Sequence, residues 1–150
     1  MIQIREGDPE DVTVIVRFQM AMALETEGVN LDPATVHKGV GAVMEDSGKG
    51  KYFVATDEGK VIASLMITYE WSDWRNANVY WIQSVYVTPD FRGEGVYRKM
   101  YTHVQELIKQ DANLTGIRLY VDYKNLSAQK VYEKLGMDGA HYRLFEWMKS

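Results

Sequence analysis

The most informative segment of the chain reads VYVTPDFRGEGV and runs from Val85 to Val96. The β-branched and aromatic residues at its start predict a strand, which Pro89 ends, and a helix is predicted directly after Gly95. Gly93 and Gly95 permit backbone angles and a close approach that a Cβ atom would prevent. Because the first N–H groups of a helix have no intrahelical acceptor, this strand–turn–helix unit is suited to bind a phosphate or pyrophosphate group.

Two common phosphate-binding motifs do not fit this turn. A P-loop requires Gly-Lys-Ser/Thr, but Gly95 is followed by Val96 and Tyr97. A Rossmann fingerprint requires a third glycine at the position of Arg98. On this segment alone, a simple strand–helix connection whose glycines serve only the turn geometry stays an equal alternative.

A second segment downstream reads NLSAQKVYEKLGM, from Asn125 to Met137. Asn125 is typical of a helix N-cap, and Gly136 of a left-handed C-cap. Together the two segments resemble the signature motifs of the GCN5-related N-acetyltransferases (GNAT family), which are V-x-V-x-P-x-x-R-G-x-G and N-x-x-A-x-x-x-Y-x-K-x-G. The predicted order of elements matches that fold along nearly the whole chain.

Hydrophobic periodicity predicts an α+β sandwich of helices on a mixed sheet, in the order β-α-α-β-β-β-α-β-α-β. The resemblance implies a twisted, mostly antiparallel sheet of about seven strands with four flanking helices. No linker or repeat interrupts the pattern, so we expect a single acetyltransferase domain over residues 1–150. Strands are predicted over 2–4, 52–55, 61–69, 79–87, 117–121 and 142–148, a loop over 71–78, and helices after Asp8-Pro9, Asp32-Pro33, Gly95 and Asn125.

Composition excludes several classes of protein. The 150 residues include no cysteine, which excludes disulfides, thiolate zinc sites and cysteine nucleophiles. The formal charge of −4 argues against a dedicated nucleic-acid binder. No apolar run approaches the roughly 18 residues of a membrane span, and the N-terminus turns polar too early for a signal peptide. We therefore expect a cytoplasmic protein with no membrane or nucleic-acid partner.

The resemblance also implies a cofactor, acetyl-CoA, and the residues that hold it. In the family, backbone N–H groups of the R-x-x-G-x-G/A turn bind the pyrophosphate, and the preceding strand pairs with the pantetheine arm. Tyr97 occupies the last motif position, where the family has glycine or alanine. Asn125 would lie near the cofactor arm, although a plain N-cap is equally compatible with its position. The implied cofactor-binding residues are Val85, Tyr86, Val87, Arg92, Gly93, Glu94, Gly95, Val96, Tyr97, Arg98 and Asn125.

Tyr132 is the candidate catalytic residue, because the family's tyrosine at this motif position donates to the departing thiolate sulfur. The alternative is that Tyr132 packs against the sheet. A base is harder to assign, since the predicted strand over 79–87 contains no carboxylate. A carboxylate acting through water is expected to replace it, and the candidates are Glu25, Glu27, Glu70 and Asp73. The three histidines have no metal-ligand spacing, so we predict no metal site.

Tryptophans and carboxylates cluster in the predicted loop around Asp73. One interpretation is an aromatic, acidic wall that receives a cationic amine through charge and cation–π contact. The alternative is that the tryptophans cover a sheet edge or a dimer interface. The candidate substrate-binding residues are Glu25, Glu27, Glu70, Trp71, Asp73, Trp74, Tyr80 and Gln83.

The resulting expectation is transfer of an acetyl group from acetyl-CoA to a primary amine, with a small cationic molecule as substrate, by direct attack in a ternary complex. Two alternatives stay open: a catalytically silent CoA-binding sensor or assembly module, and a protein or peptide N-acetyltransferase. A homodimer in which the last strand pairs across subunits is a further hypothesis, which one sequence does not test.

Overall fold

A computed structural model describes all 150 residues, and the chain divides into two compact units, residues 1–118 and residues 119–150. The larger unit holds five strands and three α-helices, with single turns of 3₁₀ helix at Pro9–Asp11 and Pro89–Phe91. The smaller unit holds one helix, α4 (Leu126–Lys134). The elements of the larger unit are β1 (Ile2–Glu6), α1 (Val12–Glu27), α2 (Pro33–Glu45), β2 (Lys51–Asp57), β3 (Lys60–Ser72), β4 (Ala77–Val87), α3 (Val96–Gln110) and β5 (Leu114–Arg118).

The sheet has the order β1-β2-β3-β4-β5. Its first four strands pair antiparallel, and β5 pairs parallel to β4 after the crossover through α3. The predicted α+β class, the mostly antiparallel mixed sheet and the four helices are therefore confirmed. The pairing of β3 with β4 is irregular between Ser64 and Met66, opposite the point where Ser84 adopts a φ of 55°.

The core lies on both faces of the sheet, because successive side chains of a strand point to opposite sides. On one face, Tyr52 and Val54 pack in a cluster with Ile15 of α1 and Val40 of α2. On the other face, the ring of Phe53 lies 5.5 Å from that of His103 in α3. The sheet is thus covered by α1 and α2 on one side and by α3 on the other.

Aspartate side chains cap the helical segments predicted after Asp8 and Asp32, although the first begins as the 3₁₀ turn Pro9–Asp11 and becomes α1 only at Val12. The Asp8 side chain accepts a hydrogen bond from the N–H of Glu10, and the Asp32 side chain accepts one from the N–H of Thr35. Each aspartate precedes a proline in the first turn, where a missing N–H costs nothing. Helix α1 ends at Glu27 because Gly28 follows in the left-handed conformation.

Four expectations about the sheet are wrong. The sheet has five strands and not about seven, and residues 142–148 form none. Strand β5 covers Leu114–Arg118 instead of 117–121, and much of the expected loop over 71–78 belongs to a hairpin in which Trp71 pairs with Asn78. The reason is the same in each case: a strand exists only where a ladder partner is aligned with it, and periodicity does not reveal the partner.

Candidate functional site

The glycine turn leads directly into α3. Gly93 has a φ of 79° and Gly95 a φ of 77°, a region that L side chains rarely adopt. A Cβ atom at either position would meet nothing within 4 Å, so the surface of the turn is open. Gly95 is the N-cap of α3, and no side chain caps the helix. The amide groups and the positive end of the 15-residue helix therefore face an open surface, which favours an anion.

The second component of the site is the edge of β4 that leads to this turn. The ladder between β4 and β5 runs from Asn78 to Trp81 and stops there. Beyond it, residues 82–87 of β4 pair with β3 on one side only. The positive φ of Ser84 produces a bulge in the same stretch. Such an edge can pair with an extended ligand arm through its backbone groups.

Glu25 joins the end of α1 to the glycine turn. Its carboxylate accepts a hydrogen bond of 2.9 Å from Arg92 Nη2 and one of 3.2 Å from the hydroxyl of Tyr86. Arg92 also donates from Nε to the carbonyl oxygen of Val87 at 2.8 Å, and its guanidinium lies 5.3 Å from the centre of the Tyr86 ring. The Tyr86 ring in turn packs 5.0 Å from that of Phe18. Arg92 is thereby held in one orientation at the start of the turn.

These contacts occupy groups that the sequence presents as candidates for chemistry. Both carboxylate oxygens of Glu25 are hydrogen-bond acceptors, so Glu25 is engaged in positioning Arg92. Burial raises the pKa of Tyr86, and the nearby charge of Glu25 acts in the same direction. Tyr86 consequently stays protonated near neutral pH and donates to Glu25.

Tyr97, which departs from the family motif, lies in the first turn of α3. It is half-buried, and its ring centre lies 6.2 Å from that of Tyr101, one helical turn further from the glycines. Glu94 and Arg98 are exposed on either side of the N-cap, and Val96 is buried.

The tryptophan-rich segment lies at the opposite end of β4. Strand β4 has 11 residues, so roughly 33 Å of extended chain separates its start at the hairpin from the glycine turn. Trp71 is 60% exposed and Trp74 is 91% exposed, and Asp73 is exposed beside them. The structure does not bring these residues to the turn. Glu27 is exposed at the end of α1, close in sequence to Glu25.

Glu70 has partners of its own near the hairpin. It accepts a hydrogen bond of 3.1 Å from Trp81 Nε1 and a charged one of 2.5 Å from Arg118 Nη1. The hydrogen bonds from Trp81 and Arg118 hold the pKa of Glu70 below its usual range. A carboxylate of this kind is a poor acceptor for a proton from an amine.

Tyr80 and Gln83, two further candidates on β4, contact residues of β3. Tyr80 is buried, with its ring 5.7 Å from that of Tyr69, and burial raises the pKa of Tyr80. Gln83 donates from Nε2 to the hydroxyl of Thr68 on β3 at 2.5 Å. Val85 and Val87 are half-buried on the open stretch of the strand.

The smaller unit carries the other two candidates on α4. The Asn125 side chain accepts a hydrogen bond of 3.1 Å from the N–H of Ala128 and is the N-cap. Gln129 donates to the carbonyl oxygens of Asp122 and Tyr123, which fixes the preceding loop to the helix. Tyr132 is half-buried, and burial raises the pKa of its phenol.

Sequence reasoning missed several residues of the site. The positive φ of Ser84 has no sequence signal, because serine has no preference for it. In the sequence, Phe18 looks like an ordinary core residue and Arg118 like an ordinary surface charge. Only the fold places Phe18 beside Tyr86 and Arg118 beside Glu70. Among all residues, no three or more histidine, aspartate or glutamate side chains form a group that could hold a metal ion, and no helix is long and apolar enough to cross a membrane.

Comparison with known proteins decides the family. A family model described as the acetyltransferase (GNAT) family matches residues 21–137, which include both motifs. The chain belongs to this family. The predicted family and the acetyltransferase class are therefore confirmed, and members of the family use acetyl-CoA.

Two solved structures described as acetyltransferases share the fold over nearly all of this chain. The chain is 42% identical to a possible acetyltransferase from Clostridium difficile 630, with a TM-score of 0.93 over 100% of this chain and 99% of that chain. A predicted acetyltransferase from Clostridium acetobutylicum, solved with acetyl-CoA, has a TM-score of 0.75 at 18% identity, covering 97% of this chain and 96% of that one. At that identity the likeness shows the fold alone.

A curated relative matches in sequence over a shorter range. Thialysine N-epsilon-acetyltransferase from Bos taurus is 32% identical over 76 residues, which is 51% of this chain. The match spans 44% of that relative's own length, less than half of it.

Proposed function

We propose that the chain transfers the acetyl group of acetyl-CoA to the primary amine of a small cationic molecule, by direct attack in a ternary complex. The observation that carries the proposal is the continuity of the open edge of β4 with the glycine turn and the N-terminus of α3. This combination offers backbone groups for an extended arm followed by amide groups for a pyrophosphate. Acetyl-CoA has these two parts in the same order.

The residues present fit this ligand. Gly93 and Gly95 give the turn a conformation that other residues would strain, and the space above them is open. In the proposal, the amides from Gly93 to Arg98 bind the pyrophosphate, and Val85 to Val87 pair with the pantetheine arm. Arg92, fixed by Glu25, adds a positive charge at the start of the turn. Asn125 caps α4, the helix that carries Tyr132.

When bound, acetyl-CoA supplies a thioester whose carbonyl carbon a neutral amine attacks, so that a C–N bond forms and the C–S bond breaks. Tyr132, at the position of the family's tyrosine, donates a hydrogen bond to the departing sulfur. Because burial raises the pKa of Tyr132, its phenol stays protonated throughout the neutral range. A phenol is a weaker acid than a thiol, so Tyr132 stabilises the thiolate by hydrogen bonding before any proton is transferred.

The amine proton leaves to solvent water in this scheme. Strand β4 has no carboxylate, and Glu25 and Glu70 already accept hydrogen bonds from charged partners. An aliphatic amine with a pKa of about 10 is mostly protonated at neutral pH. The value of kcat/KM is therefore expected to rise about tenfold per pH unit between about pH 6 and 9, without a plateau from an enzymic base.

Two observations favour a cationic substrate. The chain carries a formal charge of −4, which attracts amines and diamines. The relative matched over 76 residues is named for thialysine, a lysine-like amine. A silent CoA-binding module is the second candidate, and the observation that favours it is the absence of a carboxylate on β4.

The test is release of free CoA thiol in the presence of acetyl-CoA and a panel of amines. Because the chain has no cysteine, a thiol reagent reports only the product. Thialysine, lysine and a diamine are expected to be acetylated, whereas glutamate and an amine-bearing compound of no net charge are not. Tyr132→Phe is expected to lower kcat about 100-fold while acetyl-CoA still binds.

The outcomes separate the candidates. Acetylation confined to anionic or neutral amines would contradict the cationic substrate, and acetylation confined to peptides would favour a peptide N-acetyltransferase. Binding of acetyl-CoA without turnover of any amine would favour the silent module.

A further inference from the structure

An open cavity of about 500 Å³ lies between α1, the start of β3 and the end of β4. Its volume is within the range of pockets that bind small molecules, roughly 300–1,000 Å³. Phe18 and Tyr86 are buried and therefore form the inner wall, where their ring centres lie 5.0 Å apart. The apolar residues that line the cavity are Val14, Phe18, Ala21, Val61 and Tyr86. The inner part of the cavity is thus suited to an apolar group.

Two cations line the same cavity from different elements. Arg17 belongs to α1, and Lys60 is the first residue of β3. Both residues are exposed, which places their charged ends at the mouth of the cavity. Neither side chain takes part in an ion pair. Their charges are therefore available to a ligand.

Two carboxylates also line the cavity, but one of them is already neutralised. Asp11 is buried and accepts hydrogen bonds of 2.7 Å and 3.0 Å from the guanidinium of Arg5. Glu10 is exposed and forms no ion pair. The two cations therefore exceed the remaining carboxylate by one charge, although the chain as a whole has a formal charge of −4.

We propose that this cavity binds a small carboxylate with an apolar body. The carboxylate lies between Arg17 and Lys60, because charge-assisted hydrogen bonds to cations are the strong ones, and the body packs on Phe18 and Tyr86. One excess positive charge matches a carboxylate better than a phosphate monoester, which carries nearly two negative charges. The same two cations make the cavity unsuited to the cationic amine of the proposed reaction.

Tyr86 connects the cavity to the glycine turn. Its ring lines the cavity, and its hydroxyl donates a hydrogen bond of 3.2 Å to Glu25, which holds Arg92 at 2.9 Å. A ligand packed on the ring restricts the side chain that positions Glu25 and thereby Arg92. This coupling rests on the proposed function, in which the turn binds acetyl-CoA. The carboxylate is then expected to lower the Kd of acetyl-CoA about fivefold, and acetyl-CoA to lower that of the carboxylate by the same factor.

Titration of the 150-residue chain with 4-phenylbutyrate, without acetyl-CoA, tests the site itself. Changes in amide chemical shift are expected at residues 14–21 and 60–62, with a Kd on the order of 1 mM for a ligand of about 12 non-hydrogen atoms. The neutral amide of the same compound is expected to bind at least about tenfold more weakly. Equal binding of acid and amide, shift changes confined to residues 93–98, or none at about 10 mM would overturn the proposal.

Two double variants separate the charges at the cavity from the net charge of the chain. Arg17→Gln/Lys60→Gln is expected to raise the Kd of 4-phenylbutyrate at least about tenfold. Lys38→Gln/Arg143→Gln changes the net charge equally at exposed positions that do not line the cavity, and it is expected to leave the Kd unchanged. Ala21→Phe fills the cavity without a change of charge and is expected to abolish binding. The same Kd in both double variants would overturn the proposal.

The coupling is tested by the Kd of acetyl-CoA with and without saturating 4-phenylbutyrate. The decrease expected in the wild type should be absent in Tyr86→Phe, which keeps the ring but loses the hydrogen bond to Glu25. An unchanged Kd in a wild-type chain that binds both ligands would overturn the coupling. Binding of 4-phenylbutyrate without any binding of acetyl-CoA would contradict the proposed function and leave the cavity site standing.

Discussion

The two ends of β4 look alike in sequence and differ in structure. Both are rich in aromatic and charged residues, and both suggest a binding site. At the glycine-turn end, Glu25, Tyr86 and Arg92 are fixed to each other and to the backbone around an open stretch of strand. At the hairpin end, Trp71 and Trp74 project into solvent, and Glu70 is bound to Arg118.

The two ends of β4 thus differ in the features that a ligand-binding site needs. A ligand needs groups that are positioned before it arrives and backbone groups that are left open to it. The glycine-turn end has both features, whereas the ladder at the hairpin end is complete from Tyr69 to Ala77. Variants placed at each end in matched pairs can therefore test whether acetyl-CoA binds at the glycine-turn end.

The largest effect is expected from Gly95→Glu. A side chain at a φ of 77° strains the turn, and its charge opposes a pyrophosphate on the same amides. We expect the Kd of acetyl-CoA, measured by calorimetry, to rise at least about 100-fold, or about 2.7 kcal/mol.

Gly59→Glu is the control for this variant. Gly59 has a similar φ of 82°, and a Cβ there also meets open space, but it lies in the turn between β2 and β3. Gly59→Glu is expected to lower the free energy of unfolding by about 1–2 kcal/mol, as Gly95→Glu does, and to leave acetyl-CoA binding unchanged. Equal loss of binding in both variants would contradict a specific role for the glycine turn.

An intermediate effect is expected from Glu25→Gln. Gln keeps the shape of the side chain but loses the charge that holds Arg92, so the start of the turn becomes less ordered. We expect the Kd and KM of acetyl-CoA to rise about three- to tenfold with kcat little changed. Glu70→Gln, at the hairpin end, is expected to alter neither value, and an equal effect of both substitutions would remove the contrast between the two ends.

A small effect is expected from Trp74→Ala. Because the side chain is 91% exposed and lies far along β4 from the glycine turn, the free energy of unfolding should change by less than about 0.5 kcal/mol. The KM of the amine substrate should also stay the same in the CoA-release assay. A large rise in that KM would instead support the aromatic, acidic wall as the acceptor site.

The smallest expected effect is the pH-dependent loss of stability in the variant Glu70→Gln. The pKa of Glu70 is held below the usual value, so its ion pair stabilises the folded state above about pH 4.5 and this stabilisation is lost as the pH falls through the lowered pKa. Thermal unfolding should therefore show a slightly lower Tm for Glu70→Gln than for the wild type at pH 7, and this deficit should shrink as the pH falls below about 4.5. A deficit that is constant across this range would indicate a role other than the charge.

The parts of the fold that sequence predicts are those set by near neighbours in the chain. Asp8, Asp32 and Asn125 cap the helices that follow them, and Gly93 and Gly95 make the turn, because each depends on residues only a few positions away. These local signals were sufficient to identify both family motifs and the four helices.

The parts that sequence does not predict depend on distant partners. Glu25 and its partner Arg92 are 67 positions apart in the sequence, and Glu70 and its partner Arg118 are 48 positions apart. The strand expected over 142–148 is absent because strand propensity does not supply a ladder, which has to come from another element. The distance of the hairpin tryptophans from the glycine turn likewise follows only from the length and register of β4.

Hydrogen exchange of the 150-residue chain, with and without acetyl-CoA, is the decisive measurement because it reports on both ends of β4 at once. We expect slower exchange on binding at the amides of residues 83–87 and 93–98, with no change at residues 70–79. Protection at the hairpin end, or no protection at the glycine turn at saturating acetyl-CoA, would contradict this expectation.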